Sequence, residues 1–153
     1  MKLAIGNDHA GPDMKATLVK YLEEKGHEVI DVGTDSFESF DYPISAYKVA
    51  RLVADGEVEA GILICGTGVG MSIAANKVKG IRAAACSDPV TAKLVKQHNN
   101  ANIIAFGERI VGIETAKAIL DAYLETEFEG GGRHGKRVAM IKEIEETQDL
   151  KND

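Results

Sequence analysis

The chain has 153 residues and a net charge of −6, which makes one domain with a core of its own and argues against a general nucleic-acid binder, whose affinity would rest on neutralised phosphates. Its two cysteines, Cys65 and Cys86, show no zinc or disulfide spacing, so a reduced, cytoplasmic setting is expected. The first residues turn polar too soon for a signal peptide, and no apolar run approaches about 20 residues, so no membrane partner is expected.

Lys2 to Gly6 reads as a short apolar strand. The polar loop Asn7-Asp8-His9-Ala10-Gly11 follows, then a helix opened by Pro12, with Met14, Leu18, Tyr21 and Leu22 on one face and a stop at Gly26. His27 to Val32 reads as a second strand, and Gly33 to Pro43 as a loop rich in Ser, Asp and aromatic residues. Pro43 is expected to start a second helix that buries Ile44, Tyr47 and Leu52. Ile62-Leu63-Ile64 is a buried strand with Cys65 at its carboxyl end, running into a glycine turn and a helix. Ile81 to Cys86 is a strand of small residues, Pro89 to His98 a helix, and Asn102 to Phe106 a fifth strand. A helix from Gly112 to about Thr126 carries Ile113, Ala116, Ile119, Leu120 and Tyr123 along one stripe. A terminal helix is expected over about 135–149, with a charged tail that frays to 153. Five strands alternating with helices, several apolar throughout, predict a doubly wound, Rossmann-like α/β sandwich: three layers around a five-stranded parallel sheet, in one domain spanning 1–153.

The segment Cys65-Gly66-Thr67-Gly68-Val69-Gly70 combines a nucleophile or base with an anion cradle. Glycines let a ligand approach the backbone N–H groups, and a thiolate is favoured beside a helix N-terminus. Familiar motifs do not fit. A dinucleotide fingerprint would need a glycine at Met71, a P-loop would need Gly-Lys-Ser/Thr, and a Cys-x5-Arg phosphatase would need Arg at position 71. In a parallel sheet, ligands bind beyond the carboxyl ends of the strands, so Asn7-Asp8-His9, Cys65 to Gly70 and the turn after Phe106 should share one rim. Gln97-His98-Asn99-Asn100 closes a helix before a strand and so falls on the opposite rim; if His98 is catalytic, it reaches around the edge or serves a neighbouring subunit. A histidine there also suits the helix dipole without any catalytic role. Arg133 and Arg137, four apart at the start of the terminal helix, form a candidate phosphate clamp in an acidic chain. Cys86, His27 and Asp88 read as structural, Asp88 as a helix cap.

These residues fall into recognisable words: Gly6-Asn-Asp-His-Ala-Gly11, Asp41-Tyr-Pro43, Cys65-Gly-Thr-Gly-Val-Gly70-Met-Ser-Ile-Ala-Ala-Asn-Lys77, Gly80-Ile-Arg-Ala83, Gln97-His-Asn-Asn-Ala-Asn102, Phe106-Gly-Glu-Arg109 and Gly131-Gly-Arg-His134. Together they span nearly the whole domain. The chain resembles the type B ribose-5-phosphate isomerases, whose family also contains allose- and galactose-6-phosphate isomerases. The resemblance implies interconversion of ribose 5-phosphate and ribulose 5-phosphate without metal or cofactor, in a homodimer or dimer of dimers with the site shared between subunits. It implies Cys65 as the base, and His98 with Asp8 as the pair that assists ring opening. Thr67 would shuttle protons, and Gly66, Thr67, Gly68, Val69, Gly70 and Asn99 would hold the enediolate. His9, Arg109, Arg133 and Arg137 match the phosphate contacts, and Tyr42 is a further possible contact. Another branch of the family lacks the cysteine and uses a later glutamate; Met71 stands at that position here. One departure is a third glycine before the Arg-His pair, Gly130-Gly131-Gly132, where the family usually has two. A six-carbon substrate such as allose 6-phosphate, and a non-enzymatic phosphosugar- or nucleotide-binding module, are the alternatives.

Overall fold

The structure, a computed structural model, describes residues 1–151. Its elements in chain order are β1 (Lys2–Asn7), α1 (Pro12–Glu24), β2 (Glu28–Asp31), α2 (Tyr42–Ala54), β3 (Ala60–Cys65), α3 (Val69–Ala75), β4 (Ala83–Ala85), α4 (Pro89–Asn99), β5 (Ile103–Gly107), α5 (Ile113–Leu124) and α6 (Arg133–Thr147). The strands form one parallel sheet in the order β2-β1-β3-β5-β4. The expected three-layer architecture is therefore present.

Strand alternation sorts the core into two halves. Leu3, Ile5, Ile62, Ile64, Ile104 and Phe106 face α1, α4 and α5, where Leu18, Leu22, Ala92, Ile119 and Leu120 close over them. Ala4, Leu63, Ile103 and Ala105 face α2 and α3 on the other side, and the Cys65 side chain belongs to this second half. Both faces of the central strands are dry, which is why β3 and β5 read as continuous apolar runs.

The second helix departs from its expected packing. Ile44 and Tyr47 are exposed and Leu52 is only partly buried, whereas Ser45, Ala46, Val49 and Ala50 form the buried face. The cause lies in the sheet beneath. Gly6 and Gly61 present no side chains, and a methyl group at Gly61 would press on Val49 and Ile103, so α2 settles close to the strands and only small residues fit between them. The terminal helix also differs, beginning at Arg133 and ending at Thr147, two residues earlier at each end than expected. Gly132 (φ 74°) precedes its first turn, and Gln148 in the left-handed region (φ 55°) closes it. The expected fraying extends to positions 152 and 153, which lie outside the described residues.

Register sets the level of the loops. Asn7 pairs with Ile64 and Ile64 with Phe106, so the next residues, Asp8, Cys65 and Gly107, leave the sheet side by side at its carboxyl rim.

Candidate active site

At the end of β3, Gly68 takes a left-handed conformation (φ 82°), and a Cβ there would lie 2.7 Å from Phe106 Cα, so both dihedral and space require glycine. This turn folds the chain back so that the Gly68 N–H donates to Cys65 Sγ at 3.0 Å. The thiol is 5% exposed. The Val69 N–H donates to Thr67 Oγ1 at 3.2 Å. Two of the amides expected to face a ligand are thus turned onto the loop's own side chains, one of them onto the sulfur itself.

The turn after β5 is bonded to this loop. The Glu108 N–H donates to the Cys65 carbonyl at 2.9 Å and the Arg109 N–H to the Gly66 carbonyl at 3.2 Å. That carries the Arg109 side chain over Gly66, where a Cβ would stand 3.6 Å from Arg109 Cδ and 3.7 Å from Nε. On the other flank the Asp8 N–H donates to the Ile64 carbonyl at 3.1 Å, and Asp8 Oδ1 accepts the Ala10 N–H at 2.9 Å. His9 Nδ1 accepts the Phe40 N–H at 3.1 Å and lies 3.4 Å from the Phe40 carbonyl, so the Phe40 backbone orients the ring and leaves its Nε2 edge free. Tyr42 lays its ring on Gly70, whose missing Cβ would meet Cζ at 3.0 Å. A cleft of about 360 Å³, lined by Thr67, Val69, Cys86 and Ile110 among others, opens beside the loop.

The loop from Gly33 to Asp41, which supplies Phe40, is itself clamped. Buried Asn7 donates through Nδ2 to the Thr34 carbonyl at 2.9 Å and accepts the Thr34 N–H at 2.9 Å. Lys15, also buried, bonds Asp35 at 2.6 Å and Asp31 at 3.1 Å.

The other expected residues lie elsewhere. His98 and Asn99 end α4, which runs back to the amino ends of the strands, and Arg133 and Arg137 occupy the first turns of α6 beside it. The His98 ring stacks on His134 with centroids 4.1 Å apart. The five residues of β5 separate the rims by about 16 Å. One chain therefore gathers Cys65, Thr67, Gly66 to Gly70, Asp8, His9, Tyr42 and Arg109 at one end, and His98, Asn99, Arg133 and Arg137 at the other.

A family model described as Ribose/Galactose Isomerase matches residues 3–141. The chain belongs to the ribose/galactose isomerase family. It is 56% identical to ribose-5-phosphate isomerase B of Escherichia coli K12 over 96% of this chain and 98% of that one. It is also 49% identical to a D-erythrulose-4-phosphate isomerase of Pectobacterium atrosepticum, over 86% of this chain and 88% of that one. Among solved structures, ribose-5-phosphate isomerase B of Clostridium thermocellum matches with a TM-score of 0.94 and 51% identity, covering 97% of this chain and all of that one. Family membership makes the chain a sugar-phosphate isomerase rather than a non-catalytic binding module.

Two further residues of the matched segments, Glu108 and His134, carry no local signal of their own and stand out only in the tertiary structure. Among the described residues, Glu108 Oε2 is enclosed without a hydrogen-bond partner. Burial first, then the negative charges of Asp13 and Asp8, push its carboxyl up from the usual range. His134 stands in the word that ends at it, yet only the tertiary stacking marks it. Partial burial, then the His98 and Arg133 charges, hold it below the ordinary imidazole range. Asp88 caps α4 as expected, accepting the Thr91 N–H at 2.7 Å. Burial, then the Asp88 charge, pushes the Cys86 thiol up to about 11, which leaves little of it as the reactive thiolate. Among the described residues no helix is long and apolar enough to cross a membrane.

Proposed function

We propose that this chain interconverts D-ribose 5-phosphate and D-ribulose 5-phosphate through an enediolate, with Cys65 as the base. The observation that carries this reading is the sulfur at the head of β3, receiving the Gly68 N–H at 3.0 Å and flanked by Arg109 and the Asp8 loop. Aldose–ketose isomerisation needs a base beside the carbon that loses its proton and donors where charge develops on oxygen. In the aldose-to-ketose direction Cys65 takes the proton from carbon 2 and returns it to carbon 1, while Thr67 relays a proton between the two oxygens. Amides of the Gly66 to Gly70 loop other than those given to Cys65 Sγ and Thr67 Oγ1, with Asn99, stabilise the enediolate. His98 and Asp8 assist opening of the ring. His9, Arg109, Arg133 and Arg137 hold the phosphate, whose distance from the reacting carbons lets its binding orient them. Tyr42, against Gly70, walls the loop. The scheme uses no metal and no cofactor.

Because His98, Asn99, Arg133 and Arg137 stand about 16 Å from Cys65 along the sheet, the scheme requires a homodimer, or a dimer of dimers, in which one subunit's amino rim meets the other's carboxyl rim. Exposed Tyr42, Val69, Ile73 and Ile110 near the Cys65 rim support such an interface.

The test is isomerisation of ribose 5-phosphate beside allose 6-phosphate, with chelator, for the native chain and Cys65→Ala. The five-carbon substrate should turn over, and the variant should lose about 100- to 10,000-fold, the usual contribution of a positioned base. Near-native turnover in Cys65→Ala would refute the base. A preference for the six-carbon substrate would reassign the specificity and leave the chemistry standing.

A further inference from the structure

We propose that His98, Glu129 and His134 form a binding site for a borderline-soft divalent ion such as Zn²⁺ or Co²⁺, and that an ion held there inhibits the enzyme. One ligand atom from each of the three side chains can be chosen so that all lie within 4.8 Å of one another. A tetrahedral zinc with nitrogen and oxygen ligands at about 2.0–2.2 Å sets its ligand atoms about 3.3–3.6 Å apart, so closure asks for about an ångström of side-chain adjustment. The rings stack with their planes only 6° apart, so one of them has to turn for both lone pairs to reach a common ion. Two imidazoles and a carboxylate suit zinc and cobalt better than magnesium or calcium, which prefer oxygen alone.

Glu129 is held for the purpose from outside the triad. Its N–H donates to the Gln97 carbonyl at 3.0 Å, and the Gln97 side-chain amide bonds its Oε1. Gln97 immediately precedes His98, so these bonds tie the carboxylate to the turn that carries the first imidazole and leave its second oxygen for an ion. The Arg133 and Arg137 charges beside the cluster oppose a bare cation, so the ion's open positions should take hydroxide or phosphate. Inhibition rests on the proposed role of His98 in ring opening, since a ring nitrogen bound to metal cannot exchange a proton with the sugar. Binding of the ion does not rest on it.

Cys65 is a second possible ligand for either metal, so binding is measured on full-length Cys65→Ala protein, with Co²⁺ followed by absorption and Zn²⁺ by calorimetry. One ion per chain should bind, with visible bands of nitrogen and oxygen coordination, and Glu129→Gln or His134→Ala added to this background should each weaken it by at least about tenfold. No binding to Cys65→Ala protein, or unchanged affinity in both added variants, would overturn the site. With Cys65 present, Glu129→Gln should keep its basal turnover and need about tenfold more Zn²⁺ for half inhibition. If binding is lost in Glu129→Gln while inhibition stays the same, the inhibitory role falls while the site stands; an ion bound at the site without inhibition would sink the reading of His98 as a ring-opening group.

Discussion

Cys65 sits in a setting made by a residue with no side chain. Gly68 reaches the sulfur with its N–H only because φ 82° is open to it and because Phe106 Cα occupies the place of a Cβ. Gly68→Ala should therefore cost about 1–3 kcal/mol of stability and lower turnover by moving the donor off the sulfur. Denaturant midpoints and kcat of the folded variant check both. Glu108 offers a test of a different kind. Its carboxyl holds its proton to higher pH in the folded chain than in the unfolded one, so its contribution to stability is greatest in acid and falls as pH rises through the raised pKa. Glu108→Gln keeps the neutral shape and removes the penalty. The variant should gain on the native chain between about pH 4 and 7, read from urea midpoints at the two ends; equal slopes would show that Glu108 does not carry the dependence.

Among the elements, α2 shows that helical periodicity can point to the wrong face. Ile44 and Tyr47 are spaced for burial, yet Ser45, Ala46, Val49 and Ala50 hold the sheet, because Gly6 and Gly61 bring the helix too close for larger groups. Gly61→Ala should cost about 1–3 kcal/mol by overpacking against Val49 and Ile103, measured by thermal or denaturant unfolding. The loop between β2 and α2 depends on another element, since Lys15 of α1 reaches Asp31, Asp35 and the Thr34 carbonyl. Lys15→Ala should cost about 1–3 kcal/mol. It should also raise KM more than it lowers kcat, because Phe40, which orients His9, sits on that loop. A change confined to kcat would mean that the loop does not serve phosphate binding.

For the whole molecule, the decisive feature is that the candidate site is divided between two rims. An isolated monomer should be inactive, and a variant shown by sedimentation to be monomeric yet active would sink the shared-site reading. Complementation gives a positive test. Cys65→Ala and His98→Ala chains, each inactive alone, should regain up to about one quarter of native activity when dissociated together and reassembled, because half of the random dimers are mixed and each mixed dimer has one intact site. No recovery from verified mixed dimers would place both residues in sites of the same chain.

Local signals carried most of the fold and placed half of the candidate site residues at one rim. Proline starts, glycine stops and apolar runs placed the strands and helices in their order along the chain, and register then brought Asp8, Cys65 and Gly107 level, since parallel strands must release their loops at one end. Chain direction alone separated His98 from Cys65. What only the tertiary structure decided were contacts between distant segments. These include the face of α2, set by the glycines beneath it, and the enclosure of Glu108 among like charges. They also include the orientation of His9 by the Phe40 backbone, and the stacking of His98 on His134. Each depends on distance in space between residues far apart in the chain, and local propensity carries no record of that distance.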